Sequence, residues 1–278
     1  MSIELTILGC GSSGGVPRIG NDWGDCDPSE PKNNRSRCAL LVEKRVDNAC
    51  TTVLIDTGPD IRTQLLNARV QHVDAVLYTH AHADHLHGID DLRAFWVRSG
   101  QRVPVFMDDD TYQRATSSFG YCFQTPQGSN YPPILERREI RNGETITIEG
   151  AAGSLQFEPF EVIHGEMKAL GFRVAEAAYV PDISEFPPSA LKGMKNLDVL
   201  ILDCLRRRPH PSHFCLADAL EWTEKLAPKK AVFTNLHNDL DYKTLTDELP
   251  ASIEPAFDGM KIRLKGQMRP GTPALHAE

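Results

Sequence analysis

No run of about 18 apolar residues occurs in the chain, so a membrane-spanning helix is not expected. Residues 1–5 lack the basic and apolar regions of a secretory signal, and the expectation that follows is a cytoplasmic protein without a membrane partner. The seven cysteines (Cys10, Cys26, Cys38, Cys50, Cys122, Cys204 and Cys215) are odd in number and never repeat a C-x-x-C spacing. That pattern suits free thiols and argues against a disulfide framework. Basic residues are outnumbered, 30 Lys and Arg against 38 Asp and Glu, and the net charge of −8 would repel a long nucleic acid. Repeats and low-complexity tracts are absent too. With 41% hydrophobic content, the 278 residues read as one domain over 1–266 and a frayed tail over 267–278.

What the chain does have is histidine in one place. Of its ten histidines, four fall between His80 and His87. Around them the hydrophobic pattern sets out the scaffold. Residues 3–8, 39–46 and 52–55 alternate like strands of an antiparallel start, and 60–69 has helical periodicity. The β-rich run 73–79 feeds directly into the histidines, placing them on a strand-to-helix loop. Helices are expected over 88–98 and 108–118 with a strand over 103–107 between them. Residues 119–133 mix aromatics with turn formers and read as an irregular loop, of which 119–131 is a candidate lid. Strands dominate 139–180, and two of them run into His164 and Asp182; 199–202 is a buried strand ending at Asp203. A helix over 215–226 and a strand over 231–234, closing near His237, complete the pattern.

The chemical signal is His80-Ala81-His82-Ala83-Asp84-His85 directly after an apolar strand. Imidazoles and a carboxylate this dense in a loop can aim at two neighbouring points, with borderline-soft nitrogen and hard oxygen donors, so two metal ions fit better than one. This H-x-H-x-D-H resembles the signature of the metallo-β-lactamase superfamily, and the resemblance covers nearly the whole chain. Leu54-Ile55-Asp56-Thr57-Gly58 is similar to the turn that supports the metal loop in that family. The resemblance implies a four-layer αββα sandwich of two mixed sheets flanked by helices. It also implies that His80, His82 and His164 hold one divalent ion, Asp84, His85 and His237 the other, and Asp182 bridges them, with Zn or Mn as the metals. In this sequence Thr234 is followed by Asn235-Leu236 before His237, so Asn235 stays open as an alternative at that position.

Within the superfamily the chain resembles the phosphodiesterase branch, most of all the phosphoribosyl cyclic phosphate phosphodiesterases. The opening Leu8-Gly9-Cys10-Gly11-Ser12-Ser13-Gly14-Gly15-Val16-Pro17, the segment Asp203-Cys204 with Ser212-His213-Phe214, and the closing Phe257-Asp258-Gly259-Met260 carry this likeness. It implies His213 as a catalytic histidine, expected to stabilise transition-state charge or to protonate the leaving alkoxide, while Asp84 is read as a ligand first and a proton acceptor second. It further implies a small phosphodiester or nucleotide-like substrate. The cyclic phosphate enzymes also carry a cysteine-built zinc site, for which Cys26 alone offers too little. A lactonase or thioesterase on the same scaffold, a ribonuclease Z-like nuclease and a non-catalytic metal or nucleotide binder are the alternatives, and a homodimer is left open.

Several other features carry less. Gly9-Cys10-Gly11-Ser12-Ser13-Gly14 matches G-x-G-x-x-G, but Gly15-Val16-Pro17 cannot start the helix that dinucleotide binding needs, so the glycines read as a tight turn. Arg206, Arg207 and Arg208 are candidates for steering phosphate, and Phe119, Tyr121 and Phe123 for stacking on a base or covering a ribose. His87 is read as a bystander, and Cys204 as a packing residue.

Overall fold

Alternating apolar residues decide the architecture of this computed structural model, which describes residues 2–264; the tail expected over 267–278 lies outside the described residues. Six strands come early: β1 (Ser2–Gly9), β2 (Ala39–Val46), β3 (Ala49–Ile55), β4 (Ala75–Leu77), β5 (Val103–Met107) and β6 (Leu135–Glu139). Then follow β7 (Ile146–Ile148), β8 (Leu155–His164), β9 (Met167–Val174), β10 (Ala177–Val180), β11 (Val199–Asp203), β12 (Lys230–Thr234) and β13 (Ile253–Pro255). Last, β14 (Met260–Leu264) returns to pair antiparallel with β1. Two seven-stranded sheets result, in the orders β14-β1-β2-β3-β4-β5-β6 and β13-β12-β11-β10-β9-β8-β7. The first begins antiparallel and turns parallel from β3 to β6, and the second is parallel from β10 to β13.

Successive residues of one strand serve two cores. Val53 and Ile55 of β3 face the layer between the sheets, where Phe157 and Phe172 are fully buried, while Leu54 faces outward onto the helices. Likewise Val199 and Ile201 of β11 point inward, and Leu200 and Leu202 point outward. Strands buried on both faces must read as continuous apolar runs, which is why 199–202 has no polar alternation. Over the first sheet lie α1 (Ile61–Asn67), α2 (Ala83–Leu86), α3 (Arg93–Ser99) and α4 (Asp109–Phe123). Over the second lie α5 (Leu216–Leu226) and α6 (Tyr242–Glu248). The protein is a four-layer αββα sandwich. No helix among the described residues is long and apolar enough to cross a membrane.

Two elements depart from the pattern read in the sequence. α4 continues through Phe123, with one non-helical residue at Phe119 (φ −125°, ψ 28°), so the irregular segment begins at Gln124 and not at Phe119. α6, started by the Asp241 carboxylate accepting from the Thr244 N–H, is too short for its periodicity to stand out.

Candidate metal centre

The parallel strands of both sheets deliver their C-terminal ends to one edge of the sandwich, the usual place for a site in a sheet of this kind. Asp56 follows β3, His80 follows β4, Asp182 follows β10, Asp203 ends β11 and Asn235 follows β12. His164 ends β8, which runs in the same direction as β10.

The metal loop is built on Asp56. This residue occupies the left-handed region at φ 66°, which a non-glycine residue tolerates only where its surroundings hold it. They do so through its N–H and both carboxylate oxygens. The Asp56 N–H donates to the Leu77 carbonyl, and its carboxylate accepts from the Thr79 N–H and hydroxyl, each at 2.8 Å, and from His85 Nδ1 at 2.7 Å. Gly58 makes the packing feasible, because a Cβ there would stand 2.0 Å from the Asp84 carbonyl oxygen.

On this base the histidines converge. The ligand atoms of His80, His82, His164 and Asp182 all lie within 4.8 Å of one another. His82 Nδ1 is 2.9 Å from His80 Nε2 and 3.2 Å from His164 Nε2, and Asp182 Oδ2 is 3.5 Å and 3.6 Å from the latter two. Three imidazole nitrogens and one carboxylate oxygen are the donor set of a borderline divalent cation. Beside it, His85 Nε2 lies 3.4 Å from Asp182 Oδ1 and 3.6 Å from Asp84 Oδ2. His85 Nε2 and Asp182 Oδ1 are buried without a hydrogen-bond partner among the described residues. Two orphaned polar atoms in a dry site are costly, and one cation between them and Asp84 satisfies both. The residues therefore fit a metal at each of two adjacent positions that share Asp182.

Protonation follows the surroundings. Burial, reinforced by the charge of His85, holds His80 well below the ordinary histidine range. His85 is equally buried, but Asp182 and Asp56 outweigh burial and raise it well above that range. A second carboxylate–imidazole pair stands next to the cluster. His213 Nδ1 is 2.8 Å from Asp203 Oδ2, and the His213 ring packs 4.5 Å from that of His164. Burial pushes the Asp203 carboxyl up to about 6. Burial also opposes charge on His213, but Asp203 overrides it and pushes the imidazole up to about 9. Around neutrality the pair is therefore a carboxylate and an imidazolium.

The structure thus brings His80, His82, Asp84, His85, His164, Asp182 and His213 together. It ties His237 elsewhere: Nε2 meets Arg18, and Nδ1 faces Asp239 at 3.2 Å. Asn235 is buried and donates to Asp203 Oδ1 at 3.0 Å, which makes it a support of the Asp203–His213 pair. Arg206 braces its own loop by donating to the carbonyls of Arg208 and Pro209, Arg207 is paired with Glu248 at 2.8 Å, and Arg208 is exposed. Phe119 packs on His87 at 5.5 Å, the bystander of the loop, and Phe123 packs on Tyr112 at 5.3 Å. Tyr121 stays exposed. The sequence marked Asp203 as a strand end and part of the segment that carries the family likeness but gave it no role of its own, and it did not single out Arg18. A carboxylate closing a fully apolar strand at the site edge was the available signal for Asp203.

A model of the Beta-lactamase superfamily domain matches residues 51–235, two thirds of the chain. The chain belongs to the β-lactamase superfamily. Within the superfamily it is similar to a diphosphatase of the PhnP family, whose crystal structure superposes with a TM-score of 0.84 at 37% identity, covering 95% of this chain and 98% of that one. The octanoyltransferase of Porphyromonas gingivalis is 29% identical over 264 residues, 93% of this chain and 51% of that protein. The ribonuclease Z of Clostridium kluyveri is 26% identical over 105 residues, 37% of this chain and 28% of that enzyme. The chain therefore matches about half the length of the first of these curated relatives and 28% of the second. With this superfamily membership and a His/Asp cluster fit for divalent metal, the protein is a metal-dependent hydrolase.

Proposed function

We propose that this β-lactamase superfamily hydrolase cleaves small phosphodiesters of the cyclic ribose phosphate or nucleotide type with two divalent ions, Zn or Mn. The observation that carries the reading is the pair of buried Asp203 and half-buried His213 set against the ligand His164. His80, His82, His164 and Asp182 would hold one ion, and Asp84, His85 and Asp182 the other. When bound, the ions neutralise phosphoryl oxygen and lower the pKa of a coordinated water to about 7. Asp84, whose side chain keeps 18% of its surface exposed against 3% for Asp182, is placed to take the proton that the attacking water gives up. His213 keeps its Nε2 clear of protein partners among the described residues and, protonated, donates to the departing alkoxide. Asp203 fixes the ring and keeps it charged; the Ile183 N–H and the Asn235 amide fix Asp203 in turn. With a net charge of −8, attraction for phosphate is local to the centre, which favours a small substrate over a long polyanion.

An acyl ester or thioester is the second reading, favoured by the likeness to an octanoyltransferase along 93% of the chain. One panel separates the two. Metal-loaded protein is assayed with bis-p-nitrophenyl phosphate, a ribose 1,2-cyclic phosphate and an octanoyl thioester. Turnover of the phosphodiesters that chelator abolishes and Mn(II) or Zn(II) restores is the expected result. Turnover of the thioester alone overturns the first reading, and phosphodiester turnover that survives complete removal of metal overturns the mechanism.

A further inference from the structure

His237 leads to a residue that the hydrolytic reading leaves unused. An imidazole that donates from Nδ1 to Asp239 must accept at Nε2, and the group it accepts from is the Arg18 guanidinium, 219 positions away in the chain. Asp239 is fixed in turn by the Arg207 N–H at 3.1 Å. Among the described residues, the bond to His237 is the only one Arg18 makes through its side chain, and the buried Arg18 Nε has no partner. Space for the guanidinium comes from Gly14, where a Cβ would stand 3.2 Å from Arg18 Nε. The backbone is equally fixed, since Arg18 and Asp22 exchange N–H···O bonds of 2.9 and 3.2 Å. A guanidinium aimed by a three-residue relay, with a buried donor unspent and no carboxylate bound to it, is built to receive an anion.

Its neighbours place that anion beside the metal centre. The loop that carries Arg18 is laced to the end of β12, with Ser12 and Leu236 exchanging backbone bonds with each other's strand, and the next residue back, Asn235, holds Asp203. From the ligand His164, the rings of His213 and His210 follow at 4.5 and 5.1 Å. Asp203 and Asp239 contact the Nδ1 edges of His213 and His237, and Arg18 takes up His237 Nε2, so the donors left without a partner among the described residues are His213 Nε2 and Arg18 Nε.

We propose that Arg18, aimed by His237 and Asp239, forms an anion subsite next to the metal centre that takes a second phosphoryl group of the substrate. The preferred substrates are then diphosphate diesters and not diesters with a single phosphorus, an inference that rests on the proposed phosphodiester hydrolysis. Arg18 is the substrate contact, and His237 is a positioning residue.

The test compares metal-loaded protein on ADP-ribose, a diphosphate diester, and on bis-p-nitrophenyl phosphate. Arg18→Ala is expected to lower the ratio of kcat/KM for ADP-ribose over bis-p-nitrophenyl phosphate by about tenfold or more, the loss of a charge-assisted hydrogen bond. His237→Ala is expected to lower the same ratio with full metal content, and His237→Gln to restore part of it, because an amide oxygen can accept from Arg18. A ratio that Arg18→Ala does not move overturns the subsite. Loss of a metal ion in His237→Ala also overturns it, by returning His237 to the centre. Calorimetry of ADP-ribose binding to His213→Ala, with and without Arg18→Ala, keeps the two claims apart. Binding that depends on Arg18 while neither compound is turned over refutes the hydrolysis alone; turnover of both with binding indifferent to Arg18 refutes the subsite alone.

Discussion

The two proposed metal positions would share Asp182, and they differ in what stands behind them. At the first, His80 Nδ1 rests on the Thr79 hydroxyl at 2.9 Å and His164 Nδ1 on the Ser212 carbonyl at 2.6 Å, both uncharged partners. Burial lowers both imidazoles, so each offers neutral nitrogen, and Asp182 adds one carboxylate oxygen. At the second, His85 is backed by the fully buried Asp56 carboxylate, and Asp84 and Asp182 supply the remaining donors. A position with four protein donors is complete. One with three, where His237 is held by Arg18, would leave a bound ion a place for water or substrate, as catalytic sites do and structural sites do not.

That contrast can be broken by mutation. The largest effect is expected from His164→Ala, which removes a donor from the complete position and a wall from His213; metal analysis should show the first ion lost, with activity on bis-p-nitrophenyl phosphate reduced to background. Asp84→Asn should spare the first ion and lose the second, so that mass spectrometry under native conditions finds one metal per chain. If Asp84→Asn instead strips both ions, the two positions are not separable in the way described. Asp56→Asn keeps every ligand and removes only the carboxylate behind His85, so the second ion should weaken by about 10- to 100-fold in a chelator competition. Smaller still is Asp203→Asn. The carboxylate raises His213, so its removal lowers the imidazole pKa, and the alkaline limb of the kcat profile should move from near pH 9 to lower pH. A limb that stays in place would assign the titration to another group.

The same contrast explains what could be read from the sequence. Candidate ligands clustered in one loop stand out in the sequence, because His80, His82, Asp84 and His85 lie within six residues directly after a buried strand. His164 and Asp182 stand at ends of apolar runs, where a polar residue needs a reason. The supports were harder to see. Asp203 acts through His213, ten positions away, and the partner that takes His237 away from the metal lies across the fold at Arg18. Spacing along the chain says nothing about a contact of that kind. The aromatic segment was legible as composition but not as conformation: α4 keeps its hydrogen bonds through Phe123 despite Phe119 and Gly120, because Cys122 and Ala115 pack into the core beneath it.

The central claim is that a protonated His213, held by Asp203 beside a metal centre it does not ligate, drives the departure of the leaving group. Measuring kcat and metal content together for His213→Ala tests it most directly, with bis-p-nitrophenyl phosphate as substrate. The account predicts a fall in kcat of about 10²- to 10⁴-fold with both ions retained. An unchanged kcat, or loss of metal in proportion to the loss of activity, would contradict it.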